Sequence, residues 1–224
     1  MYSGDVPPVR RALRRPAGPK IAPKGRRPRV RLDNDARRAQ LLLLAKKSFS
    51  DRSYDDVSID DLAREAKISK GLLYHYFPTK RDLYVAGLRE IADELVDRVN
   101  AVPVDLPPAD RVRAGLDAYL DHISQHARAF VSLMRGGIGS DPEVAGVIEG
   151  VRRRLSERFL EGSPFRPALA GNPKFEIAMR GWIGFVEHAT IDWCADPKLT
   201  REELRELLSQ VLLAIVTALP QIIC

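Results

Sequence analysis

The sequence predicts an all-α protein of about nine helices: three short ones near the N-terminus, a long connector, and a larger helical domain. Three observations carry this. Apolar residues recur at three- and four-residue intervals from Asp33 to Leu219, the spacing that gives a helix one buried stripe. Helix start signals recur at Ser58, Ser69, Thr79 with Asp82, and Asp141 with Pro142, where a short oxygen-bearing side chain can satisfy free backbone N–H groups. Pro and Gly punctuate the intervals at Pro78, at Pro103, Pro107 and Pro108, at Gly136-Gly137, and through 162–173, so the breaks fall between the periodic segments.

Taken in order, residues 1–31 hold ten Lys/Arg against one Asp, with repeated Pro and no apolar periodicity. This composition predicts a disordered basic arm. Two readings stand side by side: an arm that follows phosphates or enters a minor groove, and a solvated extension with no such role.

Residues 32–80 form the next unit. Ala36, Ala39, Leu42, Leu43 and Phe49 carry helical spacing, with Asp33 or Asn34 as cap, and Tyr54 and Val57 close a small core. Ser58 opens a short helix through Leu62, Ala63 and Ala66, and Lys67-Ile68 turns the chain into Ser69. Ser69 caps a second short helix, which Pro78 ends by disfavouring helical geometry at Phe77. Two short helices with a tight turn make a helix-turn-helix. In the second, Leu73 and Phe77 are four apart and face inward with Leu62 and Ile68, which leaves Lys70, Gly71, Tyr74, His75 and Tyr76 on or near the outside. Lysine donates to guanine edges or phosphate, tyrosine hydroxyls suit phosphate, the rings suit thymine methyls, and glycine permits close backbone approach. A helical hairpin whose aromatics are simply core is the bland alternative, but these adjacent polar and aromatic positions cannot all point inward.

The run Tyr74-His75-Tyr76-Phe77, followed by Thr79-Lys80 and Asp82-Leu83, resembles the signature of the TetR family of bacterial transcriptional repressors. The likeness covers roughly residues 35–90; beyond it the chain resembles the family only in length and helical pattern. It implies a homodimer that closes through the last two helices, double-stranded DNA as partner, and a small-molecule effector in the larger domain. On that reading Lys70, Gly71, Tyr74 and His75 reach bases or groove, and Ser58, Tyr76 and Lys80 contact phosphate.

Residues 81–224 hold seventeen Lys/Arg against twenty-one Asp/Glu, so the overall +6 lies at the other end and this domain has no electrostatic reason to touch nucleic acid. The connector reads from Thr79 to about Asn100, and further helical patterns include Val112 to Ile123, Phe130 to Met134 and Val144 to Phe159; nothing regular is expected over 162–173. The last two helices, about 174–194 and 200–219, are apolar on more than one face. One face serves the monomer and the second needs a partner, where Gly181 and Gly184 permit close approach. Tyr119, His122, Phe130, Met134, Trp182, Phe185, His188 and Trp193 could line a mostly apolar cavity, although each taken singly is better explained by core packing. Weak acidity and the lack of an Arg/Lys cluster on these helices favour a neutral or apolar effector.

Several classes are disfavoured. Val211 to Leu219 is the only long apolar run, far below the roughly 20 residues a spanning helix needs, so a cytoplasmic protein without a membrane partner is expected. Cys194 and Cys224 make no disulfide framework, metal site or redox motif, and no cofactor is expected. An enzyme using His188 and Cys194 lacks an orienting carboxylate and places the pair on different helix faces. A non-specific architectural DNA binder driven by the basic arm remains as the other alternative.

Overall fold

The computed structural model describes residues 34–161 and 166–223. The expected arm, 1–31, and Asp33 as a cap lie outside them. Among the described residues there are ten α-helices, one of them a single turn, and one 3-10 turn: α1 (Asn34–Asp51), α2 (Ile59–Glu65), α3 (Lys70–Tyr76), α4 (Lys80–Asn100), α5 (Pro108–Gln125), α6 (Ala127–Arg135), the 3-10 turn Gly137–Ser140, α7 (Pro142–Leu160), α8 (Arg166–Leu169), α9 (Pro173–Ala195) and α10 (Arg201–Ile223). No described helix is long and apolar enough to cross a membrane.

Local chemistry sets the boundaries. Ser58 accepts from Asp60 N and Ser69 from Leu72 N. Thr79 and Asp82 form a reciprocal capping box at the start of α4, which satisfies two backbone donors at once. Asp141 accepts from Glu143 N and Val144 N, with Pro142 in the first turn of α7, where its missing N–H costs nothing.

The first core gathers Leu41, Ala45 and Phe49 of α1, Leu62 and Ala63 of α2, Leu73 and Phe77, and Leu83 to Leu88 of α4, and it takes in Val144 of α7. The connector therefore begins inside the core of the first three helices. Its other half, from Leu95, joins a second core with Leu116, Leu120 and Ile123 of α5, Val186 of α9, and Leu204 and Leu208 of α10. At Gly87 α4 comes close to α1: a Cβ there would lie 3.3 Å from Lys46 N and 3.4 Å from two atoms of Ala45.

Three elements differ from expectation. On α1 the buried face is Leu41, Ala45 and Phe49, while Ala36 and Ala39 are exposed and Leu43 is 67% exposed. Four consecutive leucines offer apolar groups in every direction, and the one in four-residue register with Ala45 and Phe49 is buried. The stretch expected to be irregular contains the turn α8, held by Leu169, which is buried against Phe175, Met179 and Leu212. The last helix runs to Ile223 rather than stopping at Leu219.

Candidate nucleic-acid interface and ligand cavity

Backbone hydrogen bonds build the turn between α2 and α3, and Ile68 packs on the first core. Ile68 N donates to Ala63 O and Lys67 N to Arg64 O, the two bonds of a Schellman stop, in which the residue after the cap adopts left-handed geometry. Glycine usually stands there; here Lys67 takes it, at φ 55°. This turn aims α3, and the burial of Leu73 (1% exposed) and Phe77 fixes its rotation.

With that rotation set, Lys70, Gly71, Tyr74 and His75 are all exposed. They share one face, since 70 and 74, 71 and 74, and 71 and 75 are helical neighbours. Tyr74 is 38% exposed. A Cβ on Gly71 would meet nothing closer than Ser69 Oγ at 4.0 Å, so folding does not demand glycine at a position where it costs about 0.5–1 kcal/mol relative to alanine. Leu72, also exposed, stands beside this face; its apolar side chain at a helix surface was the available signal, and sequence reasoning passed it over.

The flanking candidates are more committed. Lys70 Nζ lies 3.0 and 3.1 Å from the two carboxylate oxygens of Asp60, which holds the ammonium above its ordinary pKa chiefly through that hydrogen bond. Tyr76 is half-buried and its hydroxyl donates to Asn34 Oδ1 at 3.0 Å, so it ties α3 to the start of α1. The Ser58 hydroxyl is occupied as the α2 cap. Lys80, partly exposed, has its Nζ 4.4 Å from the Tyr54 ring centroid, a cation–π contact.

Further along α4, the helices α4, α5, α6, α7, α9 and α10 line a partly open cavity of about 200 Å³. Tyr119, His122, Phe130, Met134 and Trp182 are on its wall. Phe185 and His188 are not: both are exposed on α9, whose inward stripe is Met179, Ile183, Val186 and Thr190. Phe185 instead flanks a shallow apolar groove with Gly181, Val211 and Ile215. Trp193 also lies off the wall, its indole donating to Leu199 O at 2.8 Å. The expectation that no arginines gather here is corrected as well, because Arg111, Arg152 and Arg158 line the cavity together with Glu187. The run Arg152-Arg153-Arg154 hides which of the three faces inward.

Those charges are largely spoken for. Arg152 grips Glu187 through two hydrogen bonds, 2.9 and 2.7 Å. Arg158 pairs with Glu161 and donates to Asn100 O and Val102 O, fastening the end of α4. Arg111 donates to Val104 O. By contrast, Tyr119 Oη and His122 Nδ1 are buried with no hydrogen-bond partner. Burial, then the neighbouring His126, pushes His122 down to about 4, and burial raises Tyr119.

Comparison with known proteins agrees with this architecture. Residues 41–87 match the family described as bacterial regulatory proteins, tetR family, and residues 108–215 match the tetracyclin repressor-like C-terminal domain. A tetR-family transcriptional regulator from Streptomyces coelicolor is 31% identical in sequence, with a TM-score of 0.72 over 83% of this chain and 81% of its own. Among curated relatives, the HTH-type transcriptional activator FasR of Mycolicibacterium smegmatis is 34% identical over 141 residues, 62% of each chain. The regulator EthR of the same organism is 29% identical over 143 residues, 59% of this chain and 61% of its own. The matched region thus spans about three fifths of the length of these two relatives.

Proposed function

This chain belongs to the TetR family of bacterial regulatory proteins and is a DNA-binding transcriptional regulator; from that premise we propose that it acts as a homodimeric repressor, released from a palindromic operator by a small molecule. The observation that carries the proposal is the face of Lys70, Gly71, Tyr74 and His75, exposed on a short helix whose rotation is fixed by Leu73 and Phe77. Doubled by a two-fold axis, such helices enter successive major grooves when set about one turn of duplex apart, roughly 34 Å.

The dimer is assigned to α9 and α10. Ile177, Phe185 and Leu207 are exposed there, and added Cβ atoms at Gly181 and Gly184 would meet nothing within 4 Å, so this face has room and apolar area for a second copy. The ligand is assigned to the cavity, whose wall includes Leu88 to Val99 of the connector. A ligand that favours a different tilt of α4 changes the spacing of the two α3 helices. Each tenfold loss of operator affinity requires about 1.4 kcal/mol of differential ligand binding. No catalytic role is assigned.

One observation favours a second reading, activation: the 34% identical FasR is named an activator. Transcription in vitro from a template carrying the selected operator separates the two by its sign. For DNA binding itself, the test is selection from random duplexes. Enrichment of a palindrome supports the proposal, and recovery without sequence preference supports an architectural binder, as would loss of all preference on deleting residues 1–31.

A further inference from the structure

Tyr119 and the cavity it lines suggest which molecule fits, an inference that rests on the cavity being the effector site. Tyr119 is 8% exposed, its hydroxyl is out of contact with water, and no hydrogen bond of normal geometry reaches it. Thr190 is the nearest polar group and bears on the Tyr119 hydroxyl; its own proton goes to Val186 O at 2.7 Å, and its oxygen lies outside normal hydrogen-bond geometry to Tyr119. A buried hydroxyl without a partner costs about 1–3 kcal/mol, so the fold tolerates a donor that it does not itself use. The rest of the wall is predominantly apolar, with leucine, isoleucine and valine from α4, α5 and α7.

The charged groups on the wall do not offer an ionic site. Arg152 is met by Glu187 and by Glu149. Arg158 is met by Glu161 and two backbone carbonyls, and Arg111 by Val104 O. A carboxylate would have to compete with Glu187 for Arg152, while an ammonium would face three guanidinium groups, and either would lose its hydration on entry.

We propose that the cavity takes an apolar molecule of about eight carbons carrying one uncharged oxygen acceptor, such as a ketone, seated where the Tyr119 hydroxyl donates to it. The size follows from the volume, about 200 Å³, set against apolar cavities of roughly 150 Å³ that hold benzene.

The test uses the intact protein and three matched compounds at pH 7.5: 2-octanone, octanoate and octylammonium, titrated by calorimetry. The ketone binds at least tenfold more tightly than either ion, and Tyr119→Phe weakens the ketone about tenfold. Without ligand, Tyr119→Phe raises Tm, because it deletes an unpaired buried hydroxyl while keeping the ring. A lower Tm, an affinity for 2-octanone indifferent to Tyr119→Phe, or an equal or tighter fit of either ion overturns the inference and leaves a ligand-controlled regulator standing. Failure of all three to bind also overturns it. Release of operator DNA by whichever compound binds is scored separately, and binding without release contradicts the effector role itself.

Discussion

Arg81 grips Asp141 across sixty positions of sequence, Nε donating to one carboxylate oxygen and Nη2 to the other, each at 2.6 Å. The same guanidinium donates to Glu143 at 2.9 Å, and Arg89 reaches Glu143 at 2.7 Å. Arg81 lies in the first turn of α4, immediately after the turn that ends α3, and Asp141 caps α7. The cavity wall includes Ile148, Val151 and Leu155 of that same α7. A planar guanidinium held by two carboxylates resists sliding in a way a single lysine contact does not, so under the proposed function a movement of α7 around a ligand would be passed to the start of α4, next to α3.

The clamp has a pH signature. Arg81 holds Asp141 down at about 2. Because the folded value is depressed, the stabilisation is complete above the ordinary carboxylate range and is lost as pH falls through 2. Glu94, held at about 2 by Lys46 and Arg98, behaves alike, so the contrast between variants is the informative quantity. Arg81→Gln should lower Tm at pH 6 and lessen the further loss between pH 4.5 and 2.5, as thermal melts across that range will record.

His122 shifts stability in a higher window. Its folded pKa of about 4 lies below the ordinary histidine value, chiefly through burial, with His126 adding to it and Glu94 opposing. The unfolded chain therefore binds more protons between about pH 6.5 and 4, and stability rises with pH across that interval. His122→Phe should flatten this part of the Tm profile; a slope unchanged from the parent protein would assign it to another group.

Gly71 separates folding from recognition. Replacing it with alanine should raise stability by about 0.5–1 kcal/mol, since nothing within the chain occupies the Cβ position, while lowering operator affinity by crowding the helix–DNA approach. Chemical denaturation and operator titration on the same preparation read the two effects. Leu73→Ala, one helical step inward, should do the reverse of the first by costing about 2–5 kcal/mol of stability.

Under the proposed function, Asp60 competes with DNA for Lys70. Asp60→Asn releases the ammonium from a pair whose side chains are 49% and 63% exposed, and exposed pairs are worth little to stability. The variant should bind duplexes more tightly with unchanged Tm and a steeper dependence on salt. Lys80→Ala should weaken binding to all sequences alike and reduce the salt slope by about one unit. Affinities measured at several salt concentrations test both.

What was legible in the sequence was what neighbouring residues decide among themselves. Ser58, Ser69, Thr79 with Asp82, and Asp141 with Pro142 act within one turn of backbone, and all cap the helices expected of them. The inward Leu73 and Phe77 and the outward Tyr74 follow from a four-residue period over a short helix. Period alone could not choose among Leu41 to Leu44, nor between the several apolar faces of α9, and there Leu43, Phe185 and His188 fell on the solvent side. Contacts such as Arg81 with Asp141 or Arg152 with Glu187 depend on how α7 lies against α4 and α9, which no local pattern encodes. Tyr76 shows the same limit: its aromatic character was plain, but its hydroxyl meets Asn34, forty-two residues away.

The central claim, that the outward face of α3 reads DNA sequence, is tested most directly by fluorescence anisotropy of a selected duplex and its scrambled counterpart with the parent protein and with Tyr74→Ala. The account predicts that Tyr74→Ala reduces the preference for the selected duplex by about tenfold or more, the loss of about 1.4 kcal/mol of discrimination, while its thermal melt overlays that of the parent. Equal preference in both proteins, with the fold intact in each, would contradict it.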